Sequence, residues 1–451
     1  MNPFLKRLPK IPAIFNNHCK LTTRNTNQQR NIYRLINEPP VPFKNMWPHE
    51  RVNHEYFSTN ASSGYRNWKN CCPDKPGAQE PGVPFKIVSY NILAQDLLLG
   101  HLELYTRSRK NYLKWNYRLD RLKETIVEQR PDIICLQEVQ QDHLEDIKSS
   151  IQSRLPSMSC IFQKKTGVKT DGCAIFYNSN LFDLVLWDVV EFYRPDIQLL
   201  DRHNIALITK FKCKSENLQA NLLVSTTHLL FNPRRQDVRL AQIMVLLAEL
   251  DRHSLVKPGK SHRMPIILTG DFNFDANSAP FELITTGKLC YERLTRTSLT
   301  SCEGYGSQPT GKKFISEKLG ITDTCQHIDS VQCNNKNIPQ NSKDNPPKDS
   351  NLFSTGTLTH ALNLCSAYNH YEGVAYASIF QGKWVAIDHL FYSLEDPKKP
   401  KHKTAVLKLM SIYTLPTVRQ CKQIGSLPNV DHGSDHLMLA ACFYLKFPVS
   451  Q

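Results

Sequence analysis

Side chains that can bind a cation or move a proton recur beside short apolar segments of this sequence. They are Asn91, Glu138, His228, Asp271, Asn273, Asp388, Asp435 and His436. The apolar segments are of the kind that form strands inside a sheet. Strand ends on one edge of a layered protein converge, so we expect these residues to share one cleft.

The residue types suit the cleavage of a phosphate ester assisted by a hard divalent cation. Mg²⁺ prefers oxygen ligands, which Glu138 and Asn91 can supply. Asp271 is suited to orienting or deprotonating the attacking water. His228 and Asn273 can donate hydrogen bonds to the non-bridging oxygens of the phosphate.

Asp388 and His436 are the candidates for a carboxylate–histidine pair. A carboxylate fixes the tautomer of a histidine and raises its pKa, which suits the histidine to gripping phosphate or moving a proton. Taken one at a time, these residues have ordinary explanations, such as a surface charge, a buried histidine or a turn. Their joint occurrence is what predicts a catalytic site.

The apolar periodicity predicts the elements that must position these residues. Strands are predicted at 85–91, 132–138, 172–178, 183–191, 205–212, 222–228, 265–270, 384–393 and 436–445, the last opening on Asp435 and His436. Helices are predicted at 109–130 and, with strong amphipathicity, at 235–251. Many strands interleaved with a few helices predict an α/β layered sandwich.

Composition divides the 451 residues into two parts. Residues 1–83 are interrupted by Pro, Gly, Asn and Ser, which predicts a disordered basic arm. Residues 84–451 form the predicted catalytic domain, with a disordered insertion at 331–351, where Pro and Asn replace hydrophobic residues. The net charge of +15 suits a polyanionic partner: nucleic acid, an acidic lipid or a phosphorylated ligand.

The sequence also bears on the compartment. Residues 1–37 hold seven basic residues and no acidic one, which fits either a mitochondrial presequence or a basic arm. Prolines 3, 9 and 12 favour the arm. The 14 cysteines form no C-x-x-C pair, which favours a reducing compartment, cytoplasmic or nuclear. No apolar stretch reaches the ~18 residues that span a bilayer, so we expect no membrane association.

The chain order of the motifs carries a family resemblance. The motifs S-Y-N, Q-E-V, T-H, G-D-F-N, D-H-x-F-Y-S and S-D-H resemble those of the exonuclease–endonuclease–phosphatase superfamily, over residues 85–446. Segments 89–98, 227–235, 319–326 and 427–429 are similar to its Angel branch, which is deadenylase-like.

This resemblance implies a four-layer α/β/β/α sandwich that uses Mg²⁺, with Mn²⁺ as an alternative. It assigns Asn91 and Glu138 to the metal and Asp435 to the metal or phosphate shell. It implies hydrolysis of the 2′,3′-cyclic phosphate at RNA 3′ ends. His389 departs from the pattern, because a tyrosine more often follows the aspartate of that motif.

Two alternatives to this activity stay open. One is a 3′-to-5′ poly(A) exoribonuclease with the same catalytic residues, and the other is an inactive adaptor that binds RNA or a translation factor. Arg234 and Arg235, which follow the His228 strand, can steer phosphate or lie on a solvated helix face. No stable protein partner can be deduced, and we expect a monomer.

Overall fold

The structure, a computed structural model, describes residues 65–72, 81–214, 220–256, 262–292, 294, 317–329, 355–368, 376–380, 383–395 and 405–448. The predicted insertion at 331–351 lies outside these residues, as do positions 1–64 and 73–80 of the predicted N-terminal arm. The predictions of disorder for those segments remain predictions.

The elements follow in chain order. The strands are β1 (Trp68–Asn70), β2 (Gly82–Asn91), β3 (Ile133–Gln140), β4 (Met158–Lys164), β5 (Asp171–Asn178), β6 (Phe182–Glu191), β7 (Ile205–Cys213), β8 (Asn221–His228), β9 (Ile266–Asp271), β10 (Lys288–Cys290), β11 (Thr357–Thr359), β12 (Leu364–Ser366), β13 (Ile379–Phe380), β14 (Trp384–Val385), β15 (Asp388–Ser393), β16 (Val406–Tyr413) and β17 (Leu439–Lys446). The α-helices are α1 (Gln95–Gly100), α2 (Trp115–Glu128), α3 (Leu144–Gln152), α4 (Gln236–Ser254), α5 (Ala279–Thr286) and α6 (Val418–Ile424).

Two large sheets contain most of these strands. The first has the order β1-β16-β17-β2-β3-β5-β4 and the second the order β12-β15-β9-β8-β7-β6. Strands β2 and β3 pair in parallel, as do β8 and β9, while the other neighbours are antiparallel. Two further sheets have two strands each, β10 with β11 and β13 with β14.

The alternation of side chains along each strand builds a core on both faces of both sheets. Ile87 of β2 packs between the sheets with Val224 of β8, whereas the next residue, Val88, faces outward. Helices α2 and α3 cover the outer face of the first sheet, and α4 and α5 cover that of the second. This arrangement confirms the predicted four-layer α/β/β/α sandwich.

Helix α4 departs from the strong amphipathicity predicted for 235–251. It is buried on almost all sides, and its polar residues Arg239, Gln242 and Asp251 are buried with the rest. Each of these three residues has a hydrogen-bonding partner in a neighbouring segment, which is what permits the burial. None of the described helices is long and apolar enough to cross a membrane.

The structure departs from the predicted boundary of the N-terminal arm at residue 83, both at residues 65–72 and at Gly82 and Val83, which open β2. Trp68–Asn70 forms β1, which pairs with β16. The Trp68 indole donates to Gln129 Oε1 at 3.0 Å, and the Arg66 guanidinium donates to the carbonyls of Thr414 and Met438. A three-residue strand with polar neighbours has no periodicity to detect, so the sequence could not reveal it.

Two predicted strands also change. The single strand predicted at 384–393 is two, β14 and β15, separated by Ala386 and Ile387. The last strand begins at Leu439, so Asp435 and His436 lie in the segment before it and do not open it. The Leu437 N–H still donates to the Ser378 carbonyl oxygen at 2.7 Å. This bond connects the segment to the residue that precedes β13.

Candidate active site

Strand pairing in the second sheet aligns three of the predicted residues in one row. His228, the last residue of β8, is the parallel partner of Asp271, the last residue of β9. Asp271 is in turn the antiparallel partner of Asp388, the first residue of β15. Neighbouring strands lie ~4.8 Å apart, so this register places the three residues side by side at one edge of the sheet.

The glycine before Asp271 permits the close approach of β8 and β9. Gly270 has a φ of +146°, and a Cβ at this position would lie 2.1 Å from the carbonyl oxygen of Thr227. A larger residue would push the two strands apart where their catalytic ends meet.

Glu138 reaches the same edge from the first sheet through an irregularity of β3. The pairing of β3 with β5 shifts register between Gln137 and Val139, and Glu138 has a φ of 56°. A bulge re-aims a side chain in this way. Glu138 Oε2 accepts a hydrogen bond from the Ala94 N–H at 3.0 Å, which fixes the carboxylate.

Asn91, at the end of β2, connects the two sheets across the site. Its Nδ2 donates to Glu138 Oε1 and to Asp271 Oδ2, each at 2.9 Å. Its Oδ1 accepts the Leu93 N–H at 3.0 Å. The amide therefore holds the two carboxylates together, while its oxygen caps a turn.

Asn273 follows Asp271 in a left-handed conformation with a φ of 56°. Its backbone N–H donates to Asp271 Oδ1 at 3.1 Å, and its Nδ2 donates to the Leu229 carbonyl at 3.1 Å. The turn thus fixes the Asp271 carboxylate and ties it to the residue that follows His228.

The predicted Asp388–His436 pair is present. Nδ1 of His436 lies 2.9 Å from Asp388 Oδ2, and Nε2 of His436 lies 3.6 Å from Asp271 Oδ2. Asp388 and His436 are buried. His389, the departure noted in the sequence, lies on the opposite side of β15, where its ring stacks on Phe274 and its Nε2 lies 2.7 Å from the Phe274 carbonyl oxygen. This substitution therefore leaves the catalytic pair untouched.

Asp435 lies at the half-buried rim of the site. Its Oδ2 accepts the Tyr105 hydroxyl at 2.8 Å. The neighbouring Ser434 donates its hydroxyl to the Asn91 carbonyl at 2.7 Å, which joins the Asp435 segment to the end of β2.

The electrostatics of the site reflect several carboxylates sharing one buried space. Burial raises the pKa of Asp271 to about 7, with Asp388 and Glu138 adding to the rise and His436 opposing it. Burial, together with Asp171 and Asp435, also raises the pKa of Glu138. Like charges at close range disfavour ionisation unless a cation neutralises them.

The pKa values of the two site histidines shift in opposite directions. Burial, with Lys165 and His436 nearby, holds the pKa of His228 well below its usual range. Although burial alone would lower it, Asp388 and Asp271 hold the pKa of His436 well above its usual range. Two titratable groups whose surroundings move their pKa values in opposite directions are suited to different roles in one reaction.

The residues present fit a divalent cation. Ligand atoms of Glu138, His228 and Asp271 lie within 4.8 Å of one another, and so do those of Asp271, Asp388 and His436. A hard cation among buried carboxylate oxygens would remove the repulsion that raises the pKa values of Glu138 and Asp271. Glu138 would be its main ligand, with Asp435 as a further predicted ligand. The oxygen of Asn91, the other predicted ligand, instead accepts the Leu93 N–H, and its Nδ2 faces the two carboxylates.

The two arginines predicted to steer phosphate, Arg234 and Arg235, have different surroundings. Arg235 Nε donates to Asp237 Oδ1 at 2.9 Å, and Nη2 donates to Oδ2 at 2.9 Å, so a neighbouring carboxylate already engages this guanidinium. Arg234 is exposed. The buried Arg239 instead donates to the carbonyls of Leu230 and Asn232, which shapes the loop between His228 and α4.

Sequence reasoning missed two buried cations beside the site. Lys165 Nζ lies 2.6 Å from Asp171 Oδ2 and 3.2 Å from His228 Nδ1. The guanidinium of Arg118, on α2, donates to the carbonyls of Gly433 and Ile92. Lys165 lies in a Lys-Lys-Thr-Gly segment and Arg118 in a charged helix, and both contexts are typical of solvated surface. No sequence signal separated them from such a surface.

Comparison with known proteins agrees with this site. Residues 88–436 match the model of the Endonuclease/Exonuclease/phosphatase family. The chain belongs to this family, and is therefore a hydrolase with a phosphoesterase site.

Several relatives of the chain belong to one branch of this family. Protein angel of Drosophila melanogaster is 35% identical, with 80% of each chain covered. Protein angel homolog 2 of Mus musculus is 33% identical, over 84% of this chain and 72% of the relative. The predicted resemblance to the Angel branch is confirmed.

Solved structures show the same relationship. A crystal structure of ANGEL2, described as a 2′,3′-cyclic phosphatase, in complex with adenosine-2′,3′-vanadate, superposes with a TM-score of 0.69 at 32% identity. It covers 84% of this chain and 98% of that one. The human Nocturnin catalytic domain has a TM-score of 0.50 at 20% identity, over 84% of this chain and 98% of the other, which shows a shared fold.

Proposed function

We propose that this protein hydrolyses the 2′,3′-cyclic phosphate at RNA 3′ ends, using Mg²⁺ or Mn²⁺. The observation that carries the proposal is the cluster formed by Asn91, Glu138, His228, Asp271 and His436 at one edge of the two sheets. The similarity to ANGEL2 supports the end chemistry, and the net charge of +15 supports a polyanionic substrate.

The proposed reaction consumes two waters. The first attacks phosphorus and breaks one P–O bond of the ring, and its proton passes to the leaving ribose oxygen, which leaves a phosphate monoester. The second releases inorganic phosphate and leaves a cis-diol. A bound divalent cation would neutralise the phosphate charge and stabilise the leaving oxygen.

Each residue has a role set by its surroundings. Asp271 orients and deprotonates the attacking water, since its carboxylate is fixed by Asn91 and Asn273. His436, held by Asp388, carries a proton toward the phosphate or the leaving oxygen. Neutral His228 donates a hydrogen bond to a non-bridging oxygen.

The test offers the purified protein three RNAs that share a 5′ sequence and differ at the 3′ end. They end in a 2′,3′-cyclic phosphate, in a 3′-phosphate, and in poly(A) with a free 3′-hydroxyl. The proposal expects the cyclic end to become a cis-diol, with the reaction stopped by EDTA and restored by Mg²⁺. Shortening of poly(A) with the cyclic end left intact would establish the exoribonuclease instead, and no turnover of any RNA would favour the adaptor.

A further inference from the structure

Lys165 is a buried cation in contact with the active-site histidine of β8. It follows β4 directly, and it is 7% exposed. Its Nζ lies 2.6 Å from Asp171 Oδ2 and 3.2 Å from Nδ1 of His228. A lysine is seldom buried unless it is paired, and Asp171, itself 1% exposed, is its pair. The contact with His228 therefore comes from an ammonium group that is fixed in place.

The ammonium group determines what Nδ1 of His228 can do. An ammonium has three N–H donors and no acceptor, so Nδ1 must accept. A neutral imidazole with an accepting Nδ1 carries its proton on Nε2. The Nε2 atom faces the catalytic centre, 3.6 Å from Asp271 Oδ2.

We propose that Lys165 is a positioning residue that fixes His228 in the tautomer protonated on Nε2, so that His228 donates to the substrate phosphate and does not bind the metal. The part that concerns phosphate rests on the proposed function, whereas the tautomer stands on geometry alone.

Other charged groups around the ring do not supply an alternative partner for Nδ1. Glu138 Oε1 is 3.9 Å from Nδ1, which is beyond hydrogen-bonding distance. Asp271 and His436 lie on the Nε2 side of the ring. A metal-bound histidine commonly donates its second ring N–H to a carboxylate or a carbonyl. A cation at Nδ1 is the opposite arrangement, so it argues against His228 as a metal ligand and leaves that role to the carboxylates beside it.

The tautomer can be observed without substrate or metal. Nitrogen-15 spectra of histidine-labelled, metal-free protein distinguish a protonated ring nitrogen from an unprotonated one, and the signals missing in His228→Asn assign the ring. The proposal expects a protonated Nε2 and an unprotonated Nδ1 in the wild-type protein. A proton on Nδ1, or on both nitrogens, at neutral pH would overturn it.

Variants connect the tautomer to Lys165. Lys165→Met should replace the single tautomer with a mixture or with the doubly protonated ring, and should lower kcat about tenfold with little change in KM. Lys165→Arg, which keeps a hydrogen-bond donor, should restore the single tautomer and the wild-type kcat. Lys169→Met is the matched control, since Lys169 is an exposed lysine of the same β4–β5 connection, and it should change neither.

A second variant covers loss of folding. Lys165→Met alone leaves Asp171 buried and unpaired, which can unfold a protein. The double variant Lys165→Met/Asp171→Asn removes both charges and should show the same change of tautomer. An unchanged His228 spectrum in this folded double variant would contradict the role of Lys165. If the wild-type protein does not hydrolyse the cyclic phosphate, only the proposed function is contradicted. The tautomer of His228 is tested separately, because the spectra need no substrate.

Discussion

Nε2 of His228 and Nε2 of His436 each lie 3.6 Å from the same atom, Oδ2 of Asp271. The groups behind the two rings are of opposite charge: Lys165 contacts Nδ1 of His228, and Asp388 contacts Nδ1 of His436. The same carboxylate is therefore flanked by one histidine held neutral and one held protonated. This gives the site a neutral donor and a proton carrier on either side of the residue that activates water.

Replacing Glu138 by Gln should reduce turnover at least 100-fold, because it removes the carboxylate predicted as the main metal ligand while keeping the size of the side chain. The measurement is kcat against Mg²⁺ concentration, in which the variant should also need far more Mg²⁺. Glu128→Gln, at an exposed glutamate, is the control and should match the wild-type protein. Wild-type activity in Glu138→Gln would refute the metal assignment.

The Asp388–His436 pair should act as a unit. His436→Asn and Asp388→Asn should each lower kcat by about 100-fold or more with little change in KM, since the pair moves a proton and does not grip the RNA chain. The kcat of the double variant should be close to that of the less active single variant, because the two residues share one function. Additive losses, or losses confined to KM, would show that the two act separately.

Divalent metal should stabilise the fold through the buried carboxylates. Mg²⁺ at 100 times its Kd should add about 2.7 kcal/mol to the free energy of unfolding, which raises Tm. Thermal unfolding with Mg²⁺ or with EDTA measures this difference. The shift should largely vanish in Glu138→Gln, because Glu138 is the main predicted ligand of the ion. A full shift in that variant would place the ion elsewhere.

Glu249 on α4 predicts a pH-dependent stability away from the site. Burial alone would raise its pKa, but hydrogen bonds from His327 and Arg252 lower the pKa of Glu249 to about 2, below the ordinary 4.5. A depressed carboxyl pKa stabilises the fold above pH 4.5, and that stability is lost as the pH falls from 4.5 toward 2.

The measurement compares Tm of the wild-type protein with that of Glu249→Gln at several pH values. The variant should have the lower Tm at pH 7, and the difference should shrink below pH 4.5. A difference that grows on acidification would have the wrong sign for this account.

The sequence predicted residues of the site that stand at the ends of apolar strands. His228 and Asp271 end β8 and β9, whose apolar residues are unmistakable, and strand pairing then brings them together. The β3 irregularity at Glu138 could not be predicted, because a left-handed φ at a glutamate leaves no mark in the composition.

The residues that support the site were harder to predict. Lys165, Arg118 and Tyr105 occur among charged or polar neighbours, and only tertiary contacts reveal their burial. Strand β16 was missed for a similar reason, since its inward and outward residues include lysine and serine. The local sequence pattern predicts helices and strands from their periodicity. Which polar residues are buried depends on partners distant in sequence, which that pattern does not contain.

The most direct test of the central claim is a single-turnover assay on RNA that ends in a 2′,3′-cyclic phosphate, with wild-type protein and Asp271→Asn. Inorganic phosphate and periodate-sensitive 3′ ends are both measured in Mg²⁺. The account predicts that the wild-type protein produces the two in equal amounts, and that Asp271→Asn binds the RNA but loses nearly all turnover. Retention of the cyclic phosphate by the wild-type protein, or full turnover by Asp271→Asn, would contradict it.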